Sequence, residues 1–169
     1  MKKILIIGNS GSGKSWLSSQ LSQKLKLPEI NLDSIVWEPG GFSEKRTEEV
    51  VEKEIEKIRS QSHWVVEGVF GSLAERLVSE ADILLFLDLD WVVCEESLYL
   101  RGSESSKQLD PLLAEESFAK LLKWASEYKN RESKSSWAFH HKLFQEFSGK
   151  KVRFSARSQV NSFVVETAC

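Results

Sequence analysis

Apolar residues fall into two kinds of pattern along this chain. Some runs are short and continuous: Ile4-Leu5-Ile6-Ile7, Trp64-Val65-Val66 and Ile83-Leu84-Leu85-Phe86-Leu87. Runs without alternation predict strands covered on both faces, as in a parallel sheet. Other apolar residues recur at helical spacing. Trp16, Leu17, Leu21 and Leu25 predict a helix that stops before Pro28, which cannot continue it. Val50, Val51, Ile55 and Ile58 predict the inward face of a charged amphipathic helix over 44–59. Weaker patterns predict a short strand over 29–32 ending at Asp33, a short helix over 73–79, and helices over 91–101, 114–129 and 137–147. A fifth strand over 151–155 and a closing helix over 159–167 complete the pattern. Pro39-Gly40-Gly41 reads as a turn and the Ser-rich stretch 102–108 as a mobile loop. No internal repeat is present. Strands alternating with helices imply one parallel sheet with helices on both faces, in one domain over 1–169. Right-handed crossovers bring the C-terminal ends of all strands to one edge, the edge where open α/β sheets bind ligands.

Composition narrows the class without changing this architecture. The 169 residues are 28% charged and 41% hydrophobic, as in an ordinary soluble protein with a core large enough to fold alone. A net charge of −2 supplies no basic field toward nucleic acid or membrane; it argues against a nucleic-acid partner while leaving that option open. Two cysteines far apart in sequence, Cys94 and Cys169, fit neither a disulfide framework nor a zinc site and suit a reducing cytoplasm. The start Met1-Lys2-Lys3 and four apolar residues are too short for a signal peptide, and no run is long enough to span a bilayer. The expected setting is cytoplasmic, without a membrane partner. The oligomeric state leaves no mark in the sequence.

The candidate chemistry begins directly after the first apolar run. Gly8-Asn9-Ser10-Gly11-Ser12-Gly13-Lys14-Ser15 matches G-x(4)-G-K-[ST] in its expected setting, between a buried strand and a helix. Gly8, Gly11 and Gly13 let the backbone take positive φ and approach an anion. Loop N–H groups and the helix N-terminus form a phosphate pocket. Lys14 adds a charge for the β- and γ-phosphates of ATP, and the Ser15 hydroxyl suits Mg²⁺.

Carboxylates and arginines elsewhere extend the site. Asp33, Glu67 and Asp88 each close a predicted strand, so all three sit at the ligand edge. Asp33 could serve an acceptor group as base or hold a magnesium-bound water; it could equally cap local N–H groups. Glu67 and Asp88 compete for the magnesium side. Arg46, Arg76, Arg101 and Arg157 are the guanidinium groups suited to phosphate oxygens, each of which could also be a solvated surface residue. Arg101 leads because the Ser-rich segment follows it, as a closing lid requires. Trp37 and Phe42 flank the Pro-Gly turn, either in the core or stacked on an acceptor ring. Adjacent His140 and His141 face different ways on a helix, cannot share a metal and read as packing or surface residues.

With these residues in place, the chain resembles the P-loop kinase group that includes adenylate kinase, and within it the FlaR-type, adenylate-kinase-like family. The resemblance runs through Gly8–Ser15, Leu32-Asp33 with Trp37, Arg46, Trp64-Val65-Val66-Glu67-Gly68, Arg76 with Ala81-Asp82, Ile83–Asp88, Trp91, Arg101, Trp124, and Arg157-Ser158 with Val160 and Phe163. It implies a three-layer α/β/α fold, a five-stranded parallel sheet of order 2-3-1-4-5, and a helical lid over roughly 91–135. It implies an ATP- and Mg²⁺-dependent phosphotransferase with a small-molecule or nucleotide acceptor. By family order, Glu67 rather than Asp88 joins Ser15 on the metal side. Trp16, Arg157 and Ser158 join the loop on the ATP side, while Asp33, Trp37, Arg46 and Arg76 face the acceptor. Arg101 closes over the transferred group, and Asp33 or Glu67 orients the acceptor. The chain departs from the family at Trp16, at Glu67 for aspartate, at Val69 and Phe70 for Asn and Tyr, and along 91–101, where Arg101 is the lone arginine and Glu96 replaces a basic residue. Those departures support the alternative, a nucleotide-dependent regulatory or nucleic-acid-linked ATPase with weak or lost transfer.

Overall fold

The computed structural model describes residues 2–38, 44–102 and 111–167. The turn at 39–41, Phe42, the Ser-rich stretch beyond Gly102 and Cys169 lie outside the described residues. The continuous apolar runs become the middle of a parallel sheet: β1 (Lys3–Gly8), β3 (Trp64–Gly68) and β4 (Ile83–Leu87). Strands β2 (Glu29–Asn31) and β5 (Lys150–Phe154) form its edges. The order is β2-β3-β1-β4-β5, with every pairing parallel, as the family resemblance implies.

Side chains of alternating parity leave the sheet in opposite directions and build two cores. One joins Leu5, Ile7, Val66 and Phe86 to α3 (Glu48–Ser60) through Val51, Ile55 and Ile58, to α4 (Gly71–Leu77) through Leu73 and Leu77, and to α7 (Trp137–Glu146) through Leu143. The other joins Ile4, Ile6, Val65 and Leu85 to α1 (Lys14–Leu25) through Leu17 and Leu21, and to α8 (Arg157–Glu166) through Val160 and Val164. Helix α5 (Trp91–Arg101) and helix α6 (Pro111–Ser126) lie in the stretch expected to form the lid. A single-turn helix α2 (Asp33–Val36) follows β2.

Local chemistry moves several element boundaries away from the pattern-based expectations. Helix α3 begins at Glu48 because the Thr47 hydroxyl accepts from the Val50 N–H, an N-cap with Glu48 and Glu49 in the first turn. Val50, expected to point inward, is 39% exposed; Val51, Ile55 and Ile58 form the buried stripe. Asp33 opens helix α2 instead of ending a strand, because the Asn31 side-chain oxygen accepts from the Asp33 N–H at 2.7 Å and turns the chain. Helix α7 is capped by the Ser136 hydroxyl, which accepts from the Phe139 N–H at 3.2 Å. Among the described residues no helix is long and apolar enough to cross a membrane.

Candidate active site

The loop after β1 folds around one carbonyl. The Asn9 carbonyl accepts from the Ser12 N–H at 3.2 Å, the Ser12 hydroxyl at 2.7 Å and the Lys14 ammonium at 2.7 Å. Gly11 has φ +78°, and a Cβ there would stand 2.4 Å from the Cys94 carbonyl of α5, so no larger residue fits without displacing backbone. Two more contacts hold the loop from outside. The Asn9 amide donates to the Ala125 carbonyl of α6 at 3.0 Å. Arg157, the first residue of α8, donates to the Gly11 carbonyl at 3.1 Å and also to the Ser97 hydroxyl of α5. The loop is thus clasped by α5, α6 and α8.

Neighbouring strands bring the carboxylates. Register pairs Ile6 with Glu67, so Glu67 stands near the C-terminal end of β1. Its side chain is 3% exposed, and its Oε1 accepts from the Ser15 hydroxyl at 2.9 Å. The Leu32 N–H donates to the Glu67 carbonyl at 2.9 Å, which carries the next residue, Asp33, to the same edge. Asp33 is half-buried, but its Oδ1 is fully enclosed and has no hydrogen-bond partner.

These groups act on one another. Lys14 is 8% exposed; burial pulls its ammonium below the usual lysine range, while Glu67 and Asp33 push it back up. Burial raises the Asp33 carboxyl, against Lys14 and Arg101, which lower it. Burial likewise raises Glu67, with Asp33 adding to the rise and Lys14 and the Ser15 hydrogen bond opposing it. Lys14, Asp33, Glu67 and Arg101 therefore form one electrostatic cluster.

Other expected residues are engaged elsewhere. Arg76 donates to Glu48 at 2.6 Å and Glu52 at 2.7 Å, linking α4 to α3. Arg46 lies 4.0 Å from Glu38. Trp37 is half-buried, its backbone bridged to Lys45 and its ring 5.6 Å from the Lys45 ammonium. Trp16 is 47% exposed on α1. Ser158 follows Arg157 in α8. Asp88 accepts from the Trp137 indole at 2.9 Å and from Arg153 at 2.8 Å, a structural role that leaves the loop's carboxylate partner to Glu67.

A support that the pattern did not disclose lies under the site. His140 is fully buried; its Nε2 is 2.8 Å from the Val69 carbonyl and its Nδ1 2.5 Å from the Tyr128 hydroxyl. A carbonyl can only accept, so Nε2 carries the proton and Nδ1 accepts from Tyr128. This pins the backbone just beyond Glu67-Gly68. His141, by contrast, stacks on Trp137 at 4.6 Å. The clasps at Ala125, Cys94 and His140 join residues too far apart in sequence for any local signal.

Comparison with known proteins bears on the family and the fold. The uncharacterized protein YqaC of Bacillus subtilis is 30% identical over 135 residues, which cover 76% of this chain and 74% of that protein. The chain belongs to the same family as YqaC. A Saccharolobus solfataricus protein named "Putative adenylate kinase" is 35% identical over 92 residues, 50% of this chain and 47% of its own. The chain thus spans about half the length of that relative. Among solved structures, a gluconokinase from Sinorhizobium meliloti superposes with a TM-score of 0.58 at 18% identity, covering 98% of this chain and 88% of that one. The fold is that of the P-loop kinases. No family model matches the chain.

Proposed function

We propose that this protein is an ATP-dependent phosphotransferase acting on a small molecule or nucleotide, nearest in kind to the FlaR-type adenylate-kinase-like proteins. The observation that carries the reading is the contact of Ser15 with Glu67 at 2.9 Å beside buried Lys14, at the strand edge where the glycine loop opens. Loop N–H groups and Lys14 take the β- and γ-phosphates of ATP. Ser15 and Glu67 offer oxygen donors that fit Mg²⁺. Among the described residues no group of three or more His, Cys, Asp or Glu side chains could hold a metal, so phosphate oxygens and water would complete its shell. When bound, the ion supplies charge neutralisation at the phosphates. Arg101, whose charge already reaches Lys14 and Asp33, stabilises the equatorial oxygens during transfer. Arg157 and Ser158, at the start of α8 against the loop, belong on the nucleotide side with Trp16. Asp33 and Trp37 belong to the acceptor side, which Arg46 and Arg76 would join only on leaving Glu38 and on leaving Glu48 and Glu52. A cytoplasmic setting suits the free, buried thiol of Cys94.

The test is ATP consumption with Mg²⁺ across a panel of nucleotides, nucleosides and sugars, with Lys14→Ala as control. Turnover stimulated by one acceptor, and abolished in Lys14→Ala while its circular dichroism spectrum is unchanged, is the expected result. Wild-type turnover in Lys14→Ala would sink the phosphate-loop assignment. Tight ATP binding with no acceptor-dependent turnover would favour the regulatory ATPase instead.

A further inference from the structure

We infer that the acceptor presents a hydroxyl group to this site, not a phosphate, and that Asp33 rather than Glu67 takes the proton of that hydroxyl. The inference rests on the phosphotransferase reading above. Two carboxylates reach the loop, and the structure treats them differently. Glu67 Oε1 is occupied by the Ser15 hydroxyl at 2.9 Å and so faces the loop. Asp33 Oδ1 is fully enclosed and accepts from nothing, although the Asp33 N–H is held by Asn31 at 2.7 Å. Buried polar atoms are nearly always paired, and an unpaired one calls for a specific explanation. A ligand O–H aimed at Oδ1 supplies the missing donor; a phosphate, which has only acceptor oxygens when ionised, does not.

Charge points the same way. The cations acting on Asp33 are Lys14 and Arg101. Lys14 serves the ATP phosphates and Arg101 the transferred group. A phosphate acceptor would add a second anion beside Asp33 and Glu67, and like charges in a buried site repel strongly. The arginines suited to neutralise it already face carboxylates: Arg76 is held by Glu48 and Glu52, and Arg46 lies 4.0 Å from Glu38. A hydroxyl needs no such counter-charge. The acceptor oxygen attacks the γ-phosphorus of ATP as its proton passes to Asp33 Oδ1. The bond from that phosphorus to the bridging oxygen breaks, and ADP leaves with the electron pair. Burial raises the Asp33 carboxyl from its ordinary value, against Lys14 and Arg101, which makes it the better proton acceptor.

The test runs wild type and Asp33→Asn with Mg-ATP against two acceptor sets. One set holds polyols, hexoses and nucleosides; the other holds the nucleoside monophosphates. Phosphorus NMR distinguishes a new phosphate monoester from a nucleoside diphosphate, and calorimetric titration with ADP reports nucleotide affinity. The expected result is a monoester from one hydroxyl acceptor, with turnover down about 100-fold or more in Asp33→Asn at unchanged ADP affinity. A nucleoside diphosphate as the product overturns this inference and leaves the phosphotransferase reading intact. Full turnover in Asp33→Asn overturns the role of Asp33. ATP hydrolysis with no phosphorylated acceptor from either set overturns both readings. The wild-type acceptor result stands even where the variant folds poorly.

Discussion

His140 should make the stability of this protein fall in mild acid by an amount the structure sets. The ring is fully buried, donates from Nε2 to Val69 and accepts at Nδ1 from Tyr128. Burial lowers its pKa to about 3, against an ordinary 6.5 in the unfolded chain. The hydrogen bond to Val69 opposes that shift, and the charges of Lys14 and Arg131 add to it. Because the folded value is depressed, the contribution is fully present above the unfolded value and is lost as pH falls toward the folded one. Between the two, the unfolded chain binds a proton that the folded protein refuses, at about 1.4 kcal/mol per pH unit. From pH 7 to pH 5 the loss from this one residue is about 2 kcal/mol. His140→Gln keeps an amide able to donate and accept but removes the titration. Urea unfolding of both proteins at pH 7 and pH 5 gives the comparison. The wild type should lose about 2 kcal/mol more than the variant over that interval. Asp33 and Glu67 have raised values and act in the opposite direction, but equally in both proteins. Parallel losses in the two proteins would refute the neutral, buried assignment of His140.

Two further substitutions probe the site from other directions. Gly11→Ala places a methyl group 2.4 Å from the Cys94 carbonyl at φ +78°, so it should cost about 2–4 kcal/mol in chemical unfolding and weaken ADP binding; an unchanged melt would mean α5 moves freely off the loop. Glu67→Gln should raise the stability of the ligand-free protein at pH 7, because a carboxyl with a raised folded pKa loses stability as pH rises through that value. The same variant should lose magnesium-dependent turnover, and a melt lower than wild type would show that Glu67 is held more by Lys14 than it is penalised by burial.

The elements that sequence alone located are those whose reason is local. An unbroken apolar run must be covered on both faces, which marks β1, β3 and β4 and, with intervening helices, the parallel sheet. The glycine loop is equally local, since positive φ and an adjacent helix N-terminus are properties of neighbouring residues. Boundaries shifted where a side chain reached the backbone, as at Thr47 and Asn31. Such caps depend on one hydrogen bond that periodicity does not register.

Tertiary structure decided what each charged group faces. From the pattern, Asp33, Glu67 and Asp88 were three carboxylates at strand ends with competing roles, and Arg76 and Arg157 were two of four candidate guanidiniums. Folding gave Glu67 to Ser15, Asp88 to Trp137 and Arg153, Arg76 to Glu48 and Glu52, and Arg157 to the loop itself, and it left Asp33 Oδ1 enclosed without a donor. Hydrophobic periodicity reports which face of an element is covered, because burial is non-directional and repeats with the backbone. Hydrogen bonds and ion pairs are directional contacts of a few ångströms between residues distant in sequence, so their partners exist only once the strands are in register and the helices are packed.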